Sequence, residues 1–316
     1  MIVNLLLLLL GLTILTGGAQ ILVKGGSALA LRLGLSPLVI GLTVLAYGTS
    51  SPEMVVSAQA SLRGNAAMAV GNVIGSNFCN LALILGLCAL VRPVAASRNV
   101  VRREVPLLIG VTLLSVIFLL DQTLSRWEGG VLLLALVAYT WLTIRSSRRD
   151  PTSAPLPDDP VPRRPNQPVW LSLVLVCAGL GLLVWGADLV VDSAVVIARA
   201  LGLSDVIIGL TVVAIGTSLP ELATSLVAVL KGRVDLATGN VVGSSLFNLF
   251  GVLGAVGLIR ETDTSGLLRA DLVVLFLVTL MVWPLVRSDR RVSRAEGALL
   301  LLTYLGYTTW MVLRQT

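Results

Sequence analysis

The sequence predicts an all-α polytopic membrane protein of ten transmembrane helices, arranged as two inverted five-helix repeats. Three observations predict it. Of the 316 residues, 56% are hydrophobic and 13% charged, against roughly 25% charged residues in an ordinary soluble domain. The apolar residues gather into runs of about 20, the length at which a helix crosses the hydrocarbon core. A shift of 168 residues then lays the second half of the chain on the first without a gap, the mark of an internal duplication.

The ten runs are 3–23, 37–62, 66–91, 104–121, 127–145, 169–191, 205–230, 235–259, 270–287 and 295–313. No Lys or Arg precedes Lys24, so the first run lacks the basic leader of a secretory signal and is expected to be a retained helix. Residues 1–147 form the first repeat and 169–316 the second. Between them, 148–168 holds Pro at 151, 155, 157, 160, 162, 165 and 168, which reads as a cytoplasmic linker. Five crossings per copy is an odd number, so the second copy enters the membrane in the opposite sense to the first.

Charge fixes the expected orientation. With the N-terminus outside, 17 of the 23 Lys and Arg residues fall in cytoplasmic loops, a positive-inside bias. Both termini are then expected outside the cytoplasmic (inner) membrane. This distribution explains the net charge of +6 better than nucleic-acid binding does. Cys79, Cys88 and Cys177 all fall in apolar runs, where they act as small hydrophobes and imply no disulfide framework.

The duplication is densest where the chain is most polar. Residues 41–53, GLTVLAYGTSSPE, and 209–221, GLTVVAIGTSLPE, agree at 10 of 13 positions. Residues 71–81, GNVIGSNFCNL, and 239–249, GNVVGSSLFNL, agree at 7 of 11. A Pro inside a helix cannot donate and displaces the carbonyl four residues back, so Pro52 and Pro220 break their helices in mid-membrane. Freed carbonyls there need partners. Thr49 and Glu53 share a helix face, with Ser50 beside them, and Thr217, Ser218 and Glu221 repeat the set. Hydroxyl, carboxylate and carbonyl oxygens are the hard ligands that Na⁺ and Ca²⁺ prefer, and the chain has no His for softer metals. Asn72, Ser76 and Asn80 form a polar stripe, repeated by Asn240, Ser244 and Asn248, and both stripes are expected to line the site.

A single hydroxyl in a membrane helix is as readily glue between helices as a ligand. The glutamates are different. A carboxylate at a helix centre costs about 3 kcal/mol on insertion scales, and no Lys or Arg lies within the interior of any run. A cation from outside the protein is the expected partner. Asp121, Asp188, Asp192 and Glu104 fall near run ends and are expected to be interfacial and solvated. Trp127, Trp170 and Trp310 are expected as interface anchors.

Two copies of Gly-Thr-Ser-x-Pro-Glu, each followed by Gly-Asn-x-x-Gly-Ser, resemble the paired alpha repeats of the sodium/calcium exchangers in the cation/calcium exchanger superfamily, prokaryotic type. The resemblance spans nearly the whole chain. It implies an antiporter of Na⁺ and Ca²⁺ with ions bound at the membrane centre. It implies as ligands Ala46 (by its carbonyl), Thr49, Ser50, Glu53, Ser76 and Asn80, and in the second copy Ala214, Thr217, Ser218, Glu221, Ser244 and Asn248. One departure is Asn248, where related prokaryotic chains often have Asp. The formal charge of the site is then −2, which one Ca²⁺ or two Na⁺ neutralise. A linker this short has no room for the Ca²⁺-sensing domains of eukaryotic members.

Exchange of Na⁺ for Ca²⁺ is the reading these residues favour, and a H⁺-coupled or K⁺-involving Ca²⁺ antiporter is the alternative, since paired carboxylates can also carry protons. An intramembrane hydrolase using Ser50 or Ser218 would need a His or Lys base, and a purely structural membrane protein has no use for two matching acidic breaks. The expectation is a non-enzymatic, cofactor-free, monomeric transporter with Na⁺ and Ca²⁺ as substrates and lipid around it.

Overall fold

The computed structural model of the chain describes residues 2–147, 168–202, 214–264 and 269–315. The linker of 148–168 therefore lies outside the described residues except for Pro168, as do residues 205–213 of the run 205–230.

The first element, α1 (Ile2–Leu33), has 32 residues, and its counterpart, which we label α7 (Val169–Ala200), also has 32. At a 1.5 Å rise each is about 48 Å long, well beyond an apolar core of about 30 Å. Both outrun the apolar stretches 3–23 and 169–191 because hydropathy falls at Lys24 and Asp192 while nothing there stops a helix. They pack against each other along their length. Glycine makes this possible: a Cβ on Gly186 would sit 2.6 Å from the Leu15 amide nitrogen, and one on Gly179 2.7 Å from that of Leu22. From the other side, a Cβ on Gly18 would meet the Gly179 carbonyl oxygen at 3.0 Å. Backbone therefore touches backbone, as at other small-residue helix contacts in membranes.

The next span is broken. Helix α2 (Pro37–Thr49) and α3 (Ser51–Leu62) meet at a bend of 45°. Ser50, at φ −85° and ψ 10°, forms the hinge, and Pro52 in the first turn of α3 is the cause. Helix α4 (Met68–Val91) follows, then α5 (Val105–Phe118) and α6 (Arg126–Ser147). After α7 the second break separates α8 (Ala214–Thr217) from α9 (Leu219–Leu230), with Ser218 at φ −92° and ψ 9°. Helices α10 (Val234–Ile259), α11 (Arg269–Ser288) and α12 (Arg294–Gln315) complete the chain.

Six described helices are long and apolar enough to cross a membrane, and the bent pair α2 and α3 makes a seventh. Two of these form the interior. In α4 and α10, 78% of the most apolar window is buried, against 22% to 33% for α1, α6, α7 and α11. Each carries a wide π turn, Cys79–Ile84 in α4 and Asn248–Val252 in α10, a distortion common at functional positions. Helix α10 lies directly on α2: a Cβ on Gly239 would be 2.6 Å from the Leu38 carbonyl oxygen, and one on Gly243 2.6 Å from the Leu42 Cα.

Matched devices recur at the same offset. Ser125 N–H donates to Glu128 Oε2 at 2.8 Å, starting α6, and Ser293 N–H donates to Glu296 Oε2 at 2.7 Å, starting α12. The second is a full capping box, since Glu296 N–H also donates to Ser293 Oγ at 3.3 Å, while in the first the Ser125 hydroxyl donates to Glu128 Oε2 at 2.6 Å. Four two-residue strands staple the loops: β1 (Val94–Ala95) pairs antiparallel with β4 (Arg291–Val292), and β2 (Thr123–Leu124) with β3 (Thr262–Asp263). The all-α expectation omits these staples, which are too short to leave an alternating pattern.

One expectation is overturned. Glu104 is not solvated but 3% exposed, the Tyr139 hydroxyl donates to its Oε2 at 2.9 Å, and Arg103 Nε lies 3.8 Å from its Oε1. A wide turn at Val100–Glu104 rotates the carboxyl inward.

The glycine contact gives a direct test. Gly186→Leu should force α1 and α7 apart and cost about 1–3 kcal/mol or more in stability, whereas Gly17→Leu, with nothing described within 4 Å of its Cβ position, should be tolerated. Thermal unfolding of both variants in detergent checks this.

Candidate cation-binding site

The two helix breaks face each other in the interior. Glu53 and Glu221 are both 0% exposed, and each takes a hydrogen bond from the hydroxyl of the other break. Ser50 Oγ donates to Glu221 Oε1 at 2.7 Å, and Ser218 Oγ donates to Glu53 Oε1 at 3.3 Å. The exchange ties the halves of the chain together across 171 and 165 residues. It also uses only one oxygen of each carboxylate, since Oε2 of both has no hydrogen-bond partner among the described residues.

Further polar atoms join this centre. The Ala46 carbonyl oxygen accepts from Ser50 N–H at 3.0 Å, from Thr49 Oγ1 at 3.4 Å and from Ser244 Oγ at 3.4 Å, so residues of both halves converge on it. Ser76 is 2% exposed, and Asn80 and Asn248 are 0% exposed. Their Oγ and amide atoms have no hydrogen-bond partner among the described residues. Cys79, next to Asn80, interacts with Ser218, which sets that turn of α4 beside the pair. Thr217 is half-buried beside Pro220 at the wall of a cavity. Ala214 opens α8.

The polar stripe is not uniform. Asn72 Nδ2 donates to Ser57 Oγ at 2.9 Å and to the Glu53 carbonyl at 3.4 Å. Asn240 Nδ2 does the same with Ser225 Oγ at 3.0 Å and the Glu221 carbonyl at 3.4 Å, while Asn240 Oδ1 accepts from Thr49 Oγ1 at 3.3 Å. These two asparagines brace the backbone that carries each glutamate, so the stripe divides into a brace and two lining residues. Sequence reasoning missed Ser57 and Ser225. Their signal was spacing, because each lies four residues past its glutamate and shares its face.

The donors fit a hard cation. Among the described residues no group of three or more His, Cys, Asp or Glu gathers, and the carboxylates have no Lys or Arg partner. Buried polar atoms without partners cost about 1–3 kcal/mol each. A Na⁺ or Ca²⁺ ion would satisfy several oxygens at once.

Fold and site together define a multi-pass membrane protein of the cation-exchanger class. The chain belongs to the sodium/calcium exchanger family: the family model described as sodium/calcium exchanger protein matches it twice, over residues 3–145 and 171–313. Relatives agree end to end. A proposed antiporter of Alkalimonas amylolytica, CaxA, is 42% identical over 97% of this chain and 98% of its own length. The sodium/calcium exchanger MaX1 of Methanosarcina acetivorans is 31% identical over 96% of this chain and 97% of its own. The sodium-calcium exchanger NCX_Mj, soaked with zero Na⁺ and Ca²⁺, superposes with a TM-score of 0.84 at 32% identity, covering 98% of this chain and 99% of its own.

The brace can be tested apart from transport. Asn240→Ala removes the donor to buried Ser225 Oγ and leaves Thr49 Oγ1 only its long bond to the Ala46 carbonyl, so stability should fall by about 1–3 kcal/mol. Chemical denaturation in detergent should report that loss, while Gln59→Ala, on an exposed face of α3, should change little.

Proposed function

We propose that the protein is a secondary active antiporter that exchanges Na⁺ for Ca²⁺ across the cytoplasmic membrane by alternating access. The observation that carries this is the reciprocal pair: two buried carboxylates, each hydrogen-bonded through one oxygen to the opposite break, each with its second oxygen unpartnered. The ligands in this reading are Glu53 and Glu221 with Ser50, Ser218, Thr49, Thr217, Ser76, Ser244, Asn80, Asn248 and the carbonyls of Ala46 and Ala214. Either ion set neutralises the pair, so the two compete for the same oxygens. The loaded site can then be carried between the two faces, whereas the empty, doubly charged one is costly to move.

In this reading ten spans form two inverted repeats, 1–147 and 169–316, joined by a cytoplasmic linker, with both termini outside. The double match of the family model supports it, since 3–145 and 171–313 are offset by the same 168 residues as the motifs. Loop pairing supports it too. Strand β1 follows the third run and β4 the ninth, while β2 follows the fourth and β3 the eighth. Each pair is thus separated by an even number of crossings and falls on one side of the membrane. The packing supports an outward-open state. Gly48 and Gly216 both abut α7, at Leu180 and Val191, and the cavity between α7 and the breaks includes Val56 and Asp192, toward the outer end of each helix.

In this reading the working unit is a monomer. Nothing in the site calls for a covalent step or a cofactor. Coupling to Na⁺ rather than H⁺ is favoured by the hydroxyls, which can coordinate Na⁺ but add nothing to carboxylates that only pick up protons. The test is radiolabelled Ca²⁺ uptake into Na⁺-loaded proteoliposomes at fixed pH. Uptake should follow the Na⁺ gradient and fall to background in Glu53→Gln and in Glu221→Gln. Full uptake in either variant, or uptake driven equally by a pH gradient without Na⁺, would overturn it.

A further inference from the structure

Beside the ion site lies a cavity of about 230 Å³, walled by α7 on one side and by Pro52, Thr217 and Pro220 on the other. Thr217, one of the proposed ligands, lines it, and the lining prolines Pro52 and Pro220 immediately precede the two glutamates in the chain. Its α7 wall carries Asp188 and Asp192. Four residues apart, they share a face, and both are exposed. Neither is in an ion pair among the described residues. Exposed as the run-end reading expects, the two aspartates also line this cavity beside the helix breaks.

The duplication supplies a comparison. At the same offset of 168, Asp188 corresponds to Gln20 and Asp192 to Lys24 on α1. Lys24 is exposed. It lies near Lys231, whose ammonium is held below its usual range first by partial burial and then by the Lys24 charge. The centre of the protein is duplicated almost residue for residue, yet one approach carries two negative charges and its counterpart carries a positive one.

We propose that Asp188 and Asp192 form an outer acidic vestibule that concentrates cations at the mouth of the site, while the cytoplasmic approach past Gln20 and Lys24 lacks such a field. This rests on the antiport reading and on its assignment of the Ala200 end of α7 to the outside. Clefts lined by one sign of charge raise local counter-ion concentration and capture rate by 10-fold or more. The ion charge enters the Boltzmann exponent, so enrichment of a divalent ion is the square of that of a monovalent one. A vestibule that enriches Na⁺ about 3-fold enriches Ca²⁺ about 10-fold. The exchanger is then asymmetric, with a lower apparent KM on its outer face and a bias toward the divalent ion there.

The experiment measures KM for Ca²⁺ and Na⁺ on each face, in right-side-out and inside-out membrane vesicles, for the native chain and for Asp188→Asn with Asp192→Asn. The double variant should raise the external KM about 10-fold for Ca²⁺ and about 3-fold for Na⁺, with Vmax and the cytoplasmic KM unchanged. Asp188→Glu with Asp192→Glu, which keeps the charge, should restore the native external values. In the native protein, choline chloride should raise the external KM for Ca²⁺ by screening and leave the cytoplasmic one nearly constant, a reading that needs no variant to fold. Equal factors for the two ions, equal shifts on both faces, or no dependence on ionic strength overturns the vestibule while leaving antiport intact. Absence of Na⁺-driven uptake in native vesicles overturns both.

Discussion

Two carboxylates held in a membrane interior without a basic side chain to pair with set the terms for everything around them. Glu53 and Glu221 are fully buried, and burying a charge is costly unless it is paired and hydrogen-bonded. The protein meets part of that cost with one serine hydroxyl from the opposite break. A hydroxyl donates one proton, so each carboxylate keeps an oxygen with no protein donor. Supplying a second donor or an arginine would stabilise the pair and fill the place an ion needs. The incomplete satisfaction is therefore consistent with a site that must release its ligand, whereas a structural ion pair would be closed.

Keeping such a site open demands rigidity nearby. Asn72 and Asn240 tether the carbonyls of the two glutamates to neighbouring helices, and Gly239 and Gly243 bring α10 against α2 closely enough for Ser244 to reach the Ala46 carbonyl. Larger side chains there would move the hydroxyl out of range. The contact between α1 and α7 uses the same small residues differently. It is a long face of glycines and aliphatic side chains, and its flanking surface is exposed to lipid rather than buried in protein. Polar anchoring is concentrated in the inner helices, and smooth packing in the outer pair.

The parts legible in the sequence were those where polarity is expensive. Pro52, Pro220, the two glutamates and their hydroxyls stand out because an apolar helix has few reasons to carry them, and their repetition removed chance as an explanation. Span ends were less legible: Lys24 and Asp192 lower the local hydropathy of α1 and α7 but do not end them. Glu104 was misplaced because its partner, Tyr139, lies 35 residues on, and no local pattern announces that bond. Asn72 and Asn240 were read as lining because a stripe on one face looks uniform. Only the positions of Ser57 and Ser225 show that one end of it faces a neighbouring helix.

The site is two-fold in its chemistry, but the packing around it is not. Ser50 and Ser218 answer each other across the centre, yet Gly48 and Gly216 both lean on α7 rather than one on each of the long helices. Contacts that exist in equivalent pairs contribute equally to an arrangement and to its mirror arrangement, so they cancel in the free-energy difference between them. What remains must come from positions where the halves differ: Cys79 opposite Phe247, Asn77 opposite Ser245, Gln20 and Lys24 opposite Asp188 and Asp192. In the antiport reading a duplicated core favours neither of its two states, and any preference between them is left to the few residues that the duplication did not keep alike.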